Sequence, residues 1–231
     1  MPETRRNEVL ECLKAQQPIS LTRELLSDCM SHMVSIKYDG VRCTAIFLQM
    51  DGIWTCVSFG RLTNRNRAAY LPCQACTRSM ILDGELLVQG SAQGGEAGGA
   101  ASFNALQQRL GRKTVSKKML SESPAFVRVY DVLSLDDKNL RDRPWTERRA
   151  ILEQLMARLP AERFDLSAIV EARDFDHLAQ IREGARDDAI EGLMLKRRDS
   201  PYVPGRRTGL WYKWKRDPLL IDCVLMYAQR G

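Results

Sequence analysis

Several features of membrane and secreted proteins are absent from this sequence. No apolar run approaches the roughly 20 residues that a transmembrane helix needs, and the polar start MPETRRNEVLE does not resemble a signal peptide. The chain has 7 cysteines, an odd number without regular spacing, so we expect reduced thiols rather than a disulfide framework. These absences predict a soluble intracellular chain that does not contact a membrane.

Histidine is scarce as well. The only 2 histidines are His32 and His177, and neither is spaced with the Cys73–Cys76 pair as in a zinc site. We therefore expect no structural zinc. The rest of the composition is that of an ordinary globular protein, with 44% hydrophobic and 28% charged residues over 231 positions. That length allows one large domain whose core needs no disulfides.

Positive charge is concentrated in two places. From Lys196 to Asp217, eight basic residues stand against two acidic ones, which equals the net charge of +6 for the whole chain. A second basic run, residues 109–118, contains no acid. Basic clusters on a balanced background are typical of proteins that bind nucleic acid or nucleotide phosphates, although a solvated surface has the same pattern.

The hydrophobic pattern predicts an α+β domain. Helical spacing is expected in residues 1–30, 102–111, 147–159 and 174–186. Strands are predicted at residues 34–38, 41–47, 53–58, 80–88, 126–133, 168–172, 190–196 and 210–215. Since many strands are joined by hairpins, antiparallel sheets are favoured. We divide the chain into a helical segment (1–30), the main domain (31–217) and a final strand (218–231).

Two segments place charged residues among apolar strands, which costs free energy unless the charges have partners. In residues 37–42 (KYDGVR), Gly40 permits a tight turn between Lys37 and Arg42. A lysine held there beside another cation can act as a nucleophile, although surface hairpins have the same pattern. In residues 81–88 (ILDGELLV), Asp83 and Glu85 share one face and need a cation, a metal ion or a ribose hydroxyl.

Two later segments follow the same principle. In residues 189–196 (AIEGLMLK), Glu191 precedes a glycine within another apolar strand. In residues 210–215 (LWYKWK), alternation places Lys213 and Lys215 on one face and Tyr212 and Trp214 on the other. Two lysines that project from a rigid strand indicate a phosphate clamp, because like charges at alternate positions are otherwise unfavourable.

Together and in this order, the four segments resemble the nucleotidyltransferase motifs of ATP-dependent DNA ligases. Residues 126–131 (FVRVYD) fall where that family places an aromatic residue against the base. The resemblance runs from about Val34 to Gly231, and it is greatest to bacterial repair-type ATP-dependent ligases through LQQRLGRK and EGLMLKRRDSPY. It implies an α+β, ATP-grasp-like nucleotidyltransferase domain of two antiparallel sheets with flanking helices.

The resemblance implies three successive phosphoryl transfers. Lys37 attacks the α-phosphate of ATP, AMP passes to the 5′-phosphate of a nicked strand, and the 3′-OH displaces AMP and seals the nick. It implies that Asp39 orients the Lys37 site, and that Glu85 and Glu191 bind Mg²⁺ or Mn²⁺, with Glu85 on the ribose as the alternative. The implied nucleotide-binding residues are Arg42, Glu85, Tyr130, Lys213 and Lys215, with Tyr130 stacked on adenine.

The implied partner is nicked double-stranded DNA, recognised by its shape and not by its sequence. The residues expected to contact it lie in the two basic runs: Arg109, Arg112, Lys113, Arg197, Arg198, Arg206 and Arg207. We expect a monomer, located in the cytoplasm or on the nucleoid in a bacterium. An RNA ligase, a capping-type guanylyltransferase and a catalytically silent nucleic-acid-binding fragment stay open as alternatives.

The sequence departs from the family pattern in three places. Ser35 stands two residues before Lys37, where the family usually has a Glu that reads the adenine amino group. In residues 58–61 (SFGR), the arginine does not follow the serine directly as it usually does. The family's oligonucleotide-binding (OB) barrel is represented only by residues 218–231, its expected first strand. A missing segment or a partner is therefore expected to supply the barrel.

Overall fold

The structure is a computed structural model in which not every residue is described. The described residues are 7, 10–21, 31–50, 53–60, 69–72, 77–90, 99–112, 114–184 and 189–217. The final strand predicted over residues 218–231 and the Cys73–Cys76 pair lie outside them. Within the described part of the chain, no helix is long and apolar enough to cross a membrane.

Strands dominate the described residues, with four helices set among them in addition to the helical residues 10–13. The strands before the first helix are β1 (Gln16–Gln17), β2 (Ile19–Ser20), β3 (His32–Tyr38), β4 (Val41–Met50), β5 (Ile53–Gly60), β6 (Ala69–Pro72) and β7 (Met80–Val88). The elements from there to the third helix are α1 (Phe103–Leu110), α2 (Lys117–Glu122), β8 (Ala125–Leu135), β9 (Lys138–Asn139) and α3 (Trp145–Met156). The last elements are β10 (Phe164–Leu166), β11 (Ile169–Val170), α4 (Phe175–Gly184), β12 (Ile190–Arg197), β13 (Gly205–Arg206) and β14 (Trp211–Lys215).

Two sheets carry the fold. The large sheet has the strand order β10-β8-β7-β4-β5-β6, with β9 added to β8, and the small sheet has the order β11-β3-β12-β14-β2. Neighbouring strands are antiparallel except for the pairs β10–β8 and β14–β2. The predicted α+β class with antiparallel sheets is therefore confirmed, with a parallel strand added at one edge of each sheet.

Helix α3 covers one face of the large sheet. Leu152 and Leu155 belong to a hydrophobic core that also contains Phe47 of β4, Leu82 of β7 and Val129 of β8. The helix was predicted to start at residue 147, but it begins at Trp145, directly after Pro144. Proline fixes its own φ and is well placed just before or at the first helical position, which explains the earlier start.

The segment before β3 follows the helical prediction at residues 10–13, which are helical, but not at the described residues after them. Gln16–Gln17 and Ile19–Ser20 are strands on either side of Pro18, and they pair in parallel with β13 and β14. Leu21 is also attached, since its N–H donates to the carbonyl of Lys213 at 2.8 Å. Pairing with a free sheet edge here outweighs the local helical spacing. The predicted domain of residues 31–217 therefore receives part of its structure from residues 10–21.

A short turn connects the two sheets. Strand β3 belongs to the small sheet and β4 to the large sheet, so Asp39 and Gly40 carry the chain from one to the other. A Cβ at Gly40 would lie 2.7 Å from both Cγ of Glu85 and the carbonyl oxygen of Leu86. Glycine is therefore needed at this close approach. The start of β4 and the end of β3 consequently lie at one cleft between the sheets.

Candidate active site

The small sheet forms one wall of the cleft, and its register brings the predicted lysines together. Residues that pair directly on antiparallel strands project to the same face. The three successive rows across β3, β12 and β14 are Lys37–Gly192–Lys215, Ser35–Met194–Lys213 and Met33–Lys196–Trp211. Seven of these nine residues line a cleft of about 960 Å³. The first row forms one end of this wall, and the third row lies deepest.

A β-bulge places Glu191 opposite Lys37. The pairing of β12 with β3 shifts between Ile190 and Gly192, so Glu191 is the extra residue on its strand. The backbone φ of Gly192 is +145°, and a Cβ there would lie 2.2 Å from the carbonyl oxygen of Trp214. Only glycine allows β12 and β14 to approach this closely with that backbone. The Glu-Gly pair therefore directs one carboxylate towards the lysine row.

Glu191 links the two lysines of the first row. Its Oε2 lies 2.5 Å from Nζ of Lys37, and its Oε1 accepts a hydrogen bond from Nζ of Lys215 at 3.1 Å. The side chains of Lys37 and Glu191 are 22% and 20% exposed, so both can be reached from the cleft. The Glu191 carboxylate also shares a hydrogen bond with Asp39. We call Lys37, Asp39, Glu191 and Lys215 the lysine network.

The pKa values within the lysine network reflect its crowded charges. Burial raises the pKa of Asp39, and its hydrogen bond with Glu191 raises it further. Burial alone would raise the pKa of Glu191, but its contacts with Lys37 outweigh this and lower it. Partial burial and the nearby charge of Lys215 lower the pKa of Lys213. Three lysines, Lys37, Lys213 and Lys215, thus lie beside two carboxylates, and this excess of cations suits an anionic ligand.

The large sheet forms the opposite wall. Arg42, Glu85 and Arg128 pair across β4, β7 and β8, and all three line the cleft. Burial raises the pKa of Glu85 to about 8, although nearby Lys37 opposes the shift. Nε and Nη2 of Arg128 contact Asp165, and its guanidinium carbon lies 4.3 Å from the centre of the Tyr38 ring. Glu85 therefore faces the cleft between two arginines.

Asp83 contacts a cation, which is one of the three kinds of partner that the sequence allowed. Its Oδ1 lies 2.9 Å from Nε of Arg42, and its Oδ2 accepts a hydrogen bond from the Tyr202 hydroxyl at 2.7 Å. Arg42 also donates to the same hydroxyl at 3.1 Å and to the carbonyl of Leu13 at 3.1 Å. Arg42 is thus held in place below the cleft surface by three separate elements.

Tyr130 faces the cleft from a second bulge. The β7–β8 pairing shifts between Asp83 and Gly84, which leaves Tyr130 as the extra residue on β8. The ammonium of Lys196 lies 4.4 Å from the centre of the Tyr130 ring and 4.0 Å from that of Trp211. Lys196 is buried, and this burial lowers its pKa to about 8. A cation between two aromatic rings therefore closes the deep end of the cleft.

The residues predicted to contact DNA are spread over several surfaces. Arg206 lines the cleft and donates to Oε1 of Gln17 at 3.1 Å, while Arg197 forms an ion pair with Asp199 at 2.6 Å. Arg109 donates to the carbonyl of Ser123. The remaining described members of the set, Arg112, Arg198 and Arg207, are exposed. Lys113 lies outside the described residues.

Sequence reasoning missed three residues of the site. Tyr202 comes from the loop after β12, and nothing in the sequence connects it with Arg42 across that separation. Lys196 and Arg128 were visible as charges within apolar strands, the same signal that identified Lys37. Burial of Lys196 follows from its place in the third row beside Trp211. Applying the rule for charges in apolar strands to both residues would have found them.

Comparison with known proteins gives a family match and two curated relatives of interest. Residues 15–215 match the family model described as the ATP dependent DNA ligase domain. The DNA ligase of Thermococcus onnurineus is 30% identical over 222 residues, which cover 94% of this chain and 38% of that protein. The DNA ligase of Nanoarchaeum equitans is 28% identical over 201 residues, covering 86% and 35%. The chain thus spans under two fifths of the length of these relatives.

Solved structures share the fold at lower identity. Mycobacterial DNA ligase D, complexed with ATP and MES, matches with a TM-score of 0.59 and 23% identity over 88% of this chain and 60% of that one. The ATP-dependent DNA ligase of bacteriophage T7, in complex with ATP, matches with a TM-score of 0.60 and 18% identity over 87% and 68%. At these identities the likeness establishes the two-sheet fold.

Proposed function

The match over residues 15–215 makes this chain a member of the ATP-dependent DNA ligase domain family, and from this premise we propose that it catalyses ATP-dependent sealing of nicks in DNA. In the proposed reaction, Lys37 takes AMP from ATP, the AMP moves to the 5′-phosphate of a nick, and the neighbouring 3′-OH displaces it. The lysine network in an open cleft is the observation that carries the proposal. Its central contact is the 2.5 Å pair between Lys37 and Glu191.

The first step is a phosphoryl transfer to nitrogen. The Lys37 ammonium loses a proton, its amine nitrogen forms a bond to the α-phosphorus, and the bond from that phosphorus to the β-phosphate oxygen breaks to release pyrophosphate. Glu191 Oε2 is the nearest described base to Nζ and would accept the proton. Positioning and charge neutralisation dominate such transfers, and Lys213 and Lys215 supply positive charge beside the nucleophile.

We propose Glu85 and Glu191 as the residues that hold Mg²⁺, or Mn²⁺ in its place. Carboxylate oxygens suit these ions, and the raised pKa of Glu85 means that a nearby divalent cation would favour its ionised form. Among the described residues, no group of three or more His, Cys, Asp or Glu side chains could hold an ion by itself. Phosphate oxygens would therefore complete the ligand set, and the ion would neutralise charge on the phosphates.

The remaining roles follow from positions in the cleft. We propose that Tyr130 packs against the adenine, that Arg42 lies near the ribose or phosphate, and that Asp39 orients Lys37 through Glu191. We propose that the phosphates of nicked duplex DNA contact exposed arginines, which include Arg112, Arg198 and Arg207. The protein would act as a monomer in the compartment that holds the DNA, which is the nucleoid in a bacterium.

Covalent labelling tests this proposal. Incubation with radiolabelled ATP and Mg²⁺ should add one AMP to the chain, and peptide mass spectrometry should map it to Lys37. Lys37→Ala should remove the label completely, whereas Lys138→Ala, on an exposed strand of the large sheet, should leave it unchanged. The adduct should then transfer AMP to a 5′-phosphorylated nick. A label that persists in Lys37→Ala would refute the assignment of the nucleophile.

The choice of nucleotide and acceptor separates the alternatives. The family and the curated relatives named DNA ligases favour DNA over a capping-type or RNA acceptor. Guanylation faster than adenylation, or transfer to nicked RNA in preference to nicked DNA, would refute DNA ligation by this chain. Retention on nicked DNA without any covalent nucleotide would instead support the silent binding module.

A further inference from the structure

Five buried polar atoms of cleft-lining residues have no hydrogen-bond partner among the described residues, and two of them, Nε of Arg42 and Oε2 of Glu191, lie in ion pairs. The other three are Nε2 of Gln16, Oγ1 of Thr44 and Nε1 of Trp211. Their residues are 5%, 1% and 3% exposed, and all three line the cleft. Because a buried polar group without a partner is unfavourable, three of them in one cleft point to a ligand that supplies the partners.

The three residues are connected through Tyr202. The backbone N–H of Gln16 donates to the Tyr202 hydroxyl at 3.2 Å, and the Tyr202 ring meets the Trp211 ring edge-on with centroids 5.6 Å apart. Thr44 pairs with Asp83 across β4 and β7, and Asp83 accepts a hydrogen bond from the same hydroxyl at 2.7 Å. We call Gln16, Thr44 and Trp211 the cluster, which through Tyr202 and Asp83 connects the N-terminal segment with both sheets.

The chemistry of the cluster is mainly that of a hydrogen-bond donor. Oε1 of Gln16 already accepts from the backbone N–H of Val203 at 2.9 Å, which leaves the NH₂ end of the amide for a ligand. The indole N–H of Trp211 can only donate, and the hydroxyl of Thr44 can donate or accept. Asp83, the nearest carboxylate, is already bound by Arg42 and Tyr202. A ligand that satisfies this cluster must present acceptors.

The position of the cluster identifies which part of a nucleotide it meets. Trp211 lies four residues along β14 from Lys215, a distance of about 13 Å in an extended strand. That is the scale of a nucleoside monophosphate measured from its phosphate to its base. Met194, in the row between these ends, and Tyr130, at the deep end, both line the cleft and offer weakly polar surfaces. With phosphates at the lysine network, the base therefore reaches the cluster.

We propose that Gln16, Thr44 and Trp211 read the base of the bound nucleotide through its ring nitrogens. This inference rests on the proposed function, since it assumes that the lysine network holds the phosphates. The cluster does not recognise the exocyclic 6-amino group of adenine. That group is a hydrogen-bond donor, and it cannot bond to the donors of Gln16 and Trp211. Ser35, buried in the middle row, adds no carboxylate that would accept from the amino group.

Nucleotide analogues test the proposal on the wild-type chain. Isothermal titration calorimetry would compare ATP with 1-deaza-, 3-deaza- and 7-deaza-ATP, each lacking one ring acceptor, and with purine riboside triphosphate, which lacks the amino group. At least one deaza analogue should bind about tenfold more weakly than ATP, as expected for one lost hydrogen bond. Loss of the amino group should change the affinity by less than about threefold.

Variants of Gln16 connect this loss to the side chain. Gln16→Glu keeps an oxygen for the Val203 N–H but replaces the donor with a second oxygen, and it should weaken ATP binding about tenfold. Gln16→Met should bind ATP and the sensitive deaza analogue equally. Thr44→Val provides an independent change at the cluster and should also weaken binding. Gln154→Met, an exposed position on α3, is the matched control that should bind as wild type.

The outcomes separate failure of this inference from failure of the proposed function. Wild-type affinity for ATP in Gln16→Glu, Gln16→Met and Thr44→Val would mean that water fills the cluster, and it would overturn the inference. A loss above about tenfold with purine riboside triphosphate, alongside unchanged binding of all deaza analogues, would also overturn it. Absence of any nucleotide adduct on wild-type Lys37 would instead overturn the proposed function.

Discussion

Two ion pairs in this molecule differ in how completely their atoms are used. Arg148 contacts both oxygens of Asp131, at 2.8 and 2.9 Å, and its Nη1 donates to the carbonyls of Arg143 and Ser200. Both side chains are at most 1% exposed. Lys37 has one short contact, with Glu191, and a long one of 3.5 Å to the carbonyl of Tyr38. Every nitrogen of the Arg148 guanidinium therefore has a partner, whereas the Lys37 ammonium can still bind a ligand.

This contrast distinguishes an ion pair that stabilises the fold from one that is available for a reaction. A fully satisfied buried pair holds β8, α3 and the loop at Ser200 together, and any lost partner leaves a charge away from water. A partly exposed pair costs less to open, because water and substrate can replace the partner. We therefore expect substitutions at Arg148 to reduce stability and substitutions in the lysine network to reduce activity.

The largest effect is expected from Arg148→Met. Removing the guanidinium leaves Asp131 buried without its cation, which should lower the free energy of unfolding by about 3–5 kcal/mol. Urea unfolding followed by circular dichroism measures the change. Arg143→Met is the matched control, since Arg143 is half exposed and its ion pair with Glu147 should contribute no more than about 0.5 kcal/mol. Equal losses in the two variants would contradict the comparison.

The sequence was sufficient for the parts of the site that depend on local pattern. Alternation predicted that Lys213 and Lys215 share a face, and the register of β14 with β12 places them on the cleft side. Period two likewise put Asp83 and Glu85 on one face of β7, and both lie where β4 and β7 pair. Local rules succeed here because the strand period is fixed by the backbone.

Other parts of the site and fold depend on contacts between residues that are far apart in the sequence. Local sequence patterns cannot predict these contacts. Asp83 could have met a metal ion, a ribose or a cation, and the choice of Arg42 follows from the β4–β7 register. Gln16–Gln17 and Ile19–Ser20 became strands because sheet edges were available to them. Helix α2 was missed, although Ser116 caps it by accepting the N–H of Met119. That capping signal was visible in the sequence.

Tyr202→Phe tests whether the contacts among Tyr202, Arg42 and Asp83 mainly stabilise the fold or mainly support nucleotide binding. The change removes a hydroxyl that contacts Asp83, Arg42 and the N–H of Gln16, so it should lower the free energy of unfolding by about 1–3 kcal/mol. Urea unfolding gives this value, and calorimetry with ATP gives the accompanying loss of affinity. Unchanged stability would show that the Arg42–Asp83 pair needs no help from the hydroxyl.

Lys215→Met should have the opposite effect to Arg148→Met, because it should reduce activity and leave stability almost unchanged. Lys215 is 51% exposed, so the loss of its contact with Glu191 should cost no more than about 0.5 kcal/mol of stability. The rate of AMP adduct formation should fall by at least about tenfold, because a cation beside the developing charge is missing. Lys117→Met, on α2, is the control at an exposed lysine. A rate within twofold or so of wild type would exclude Lys215 from the phosphate site.

Lys196→Met is expected to give the smallest change. Lys196 is a buried cation that belongs neither to the Arg148–Asp131 pair nor to the lysine network. Burial lowers the pKa of Lys196 to about 8, against the pull of Asp131 and Asp83 and with the repulsion of Arg148 and Arg149. Between about pH 8 and the ordinary lysine pKa of 10.5, the unfolded chain therefore binds a proton that the folded chain has released. The contribution of this group to the free energy of unfolding consequently rises with pH in that window and is flat below it.

Methionine keeps the apolar stem of Lys196 between Tyr130 and Trp211 but cannot titrate. Urea unfolding at intervals from about pH 7 to pH 9 should show a rise of about 1 kcal/mol in wild type that is missing in Lys196→Met. At neutral pH the variant should be at least as stable as wild type, because burying the charge no longer costs free energy. Lys138→Met, at an exposed lysine, should keep the wild-type rise. An identical pH profile in Lys196→Met would mean that this ammonium is solvated, and the deep end of the cleft would then be open to water.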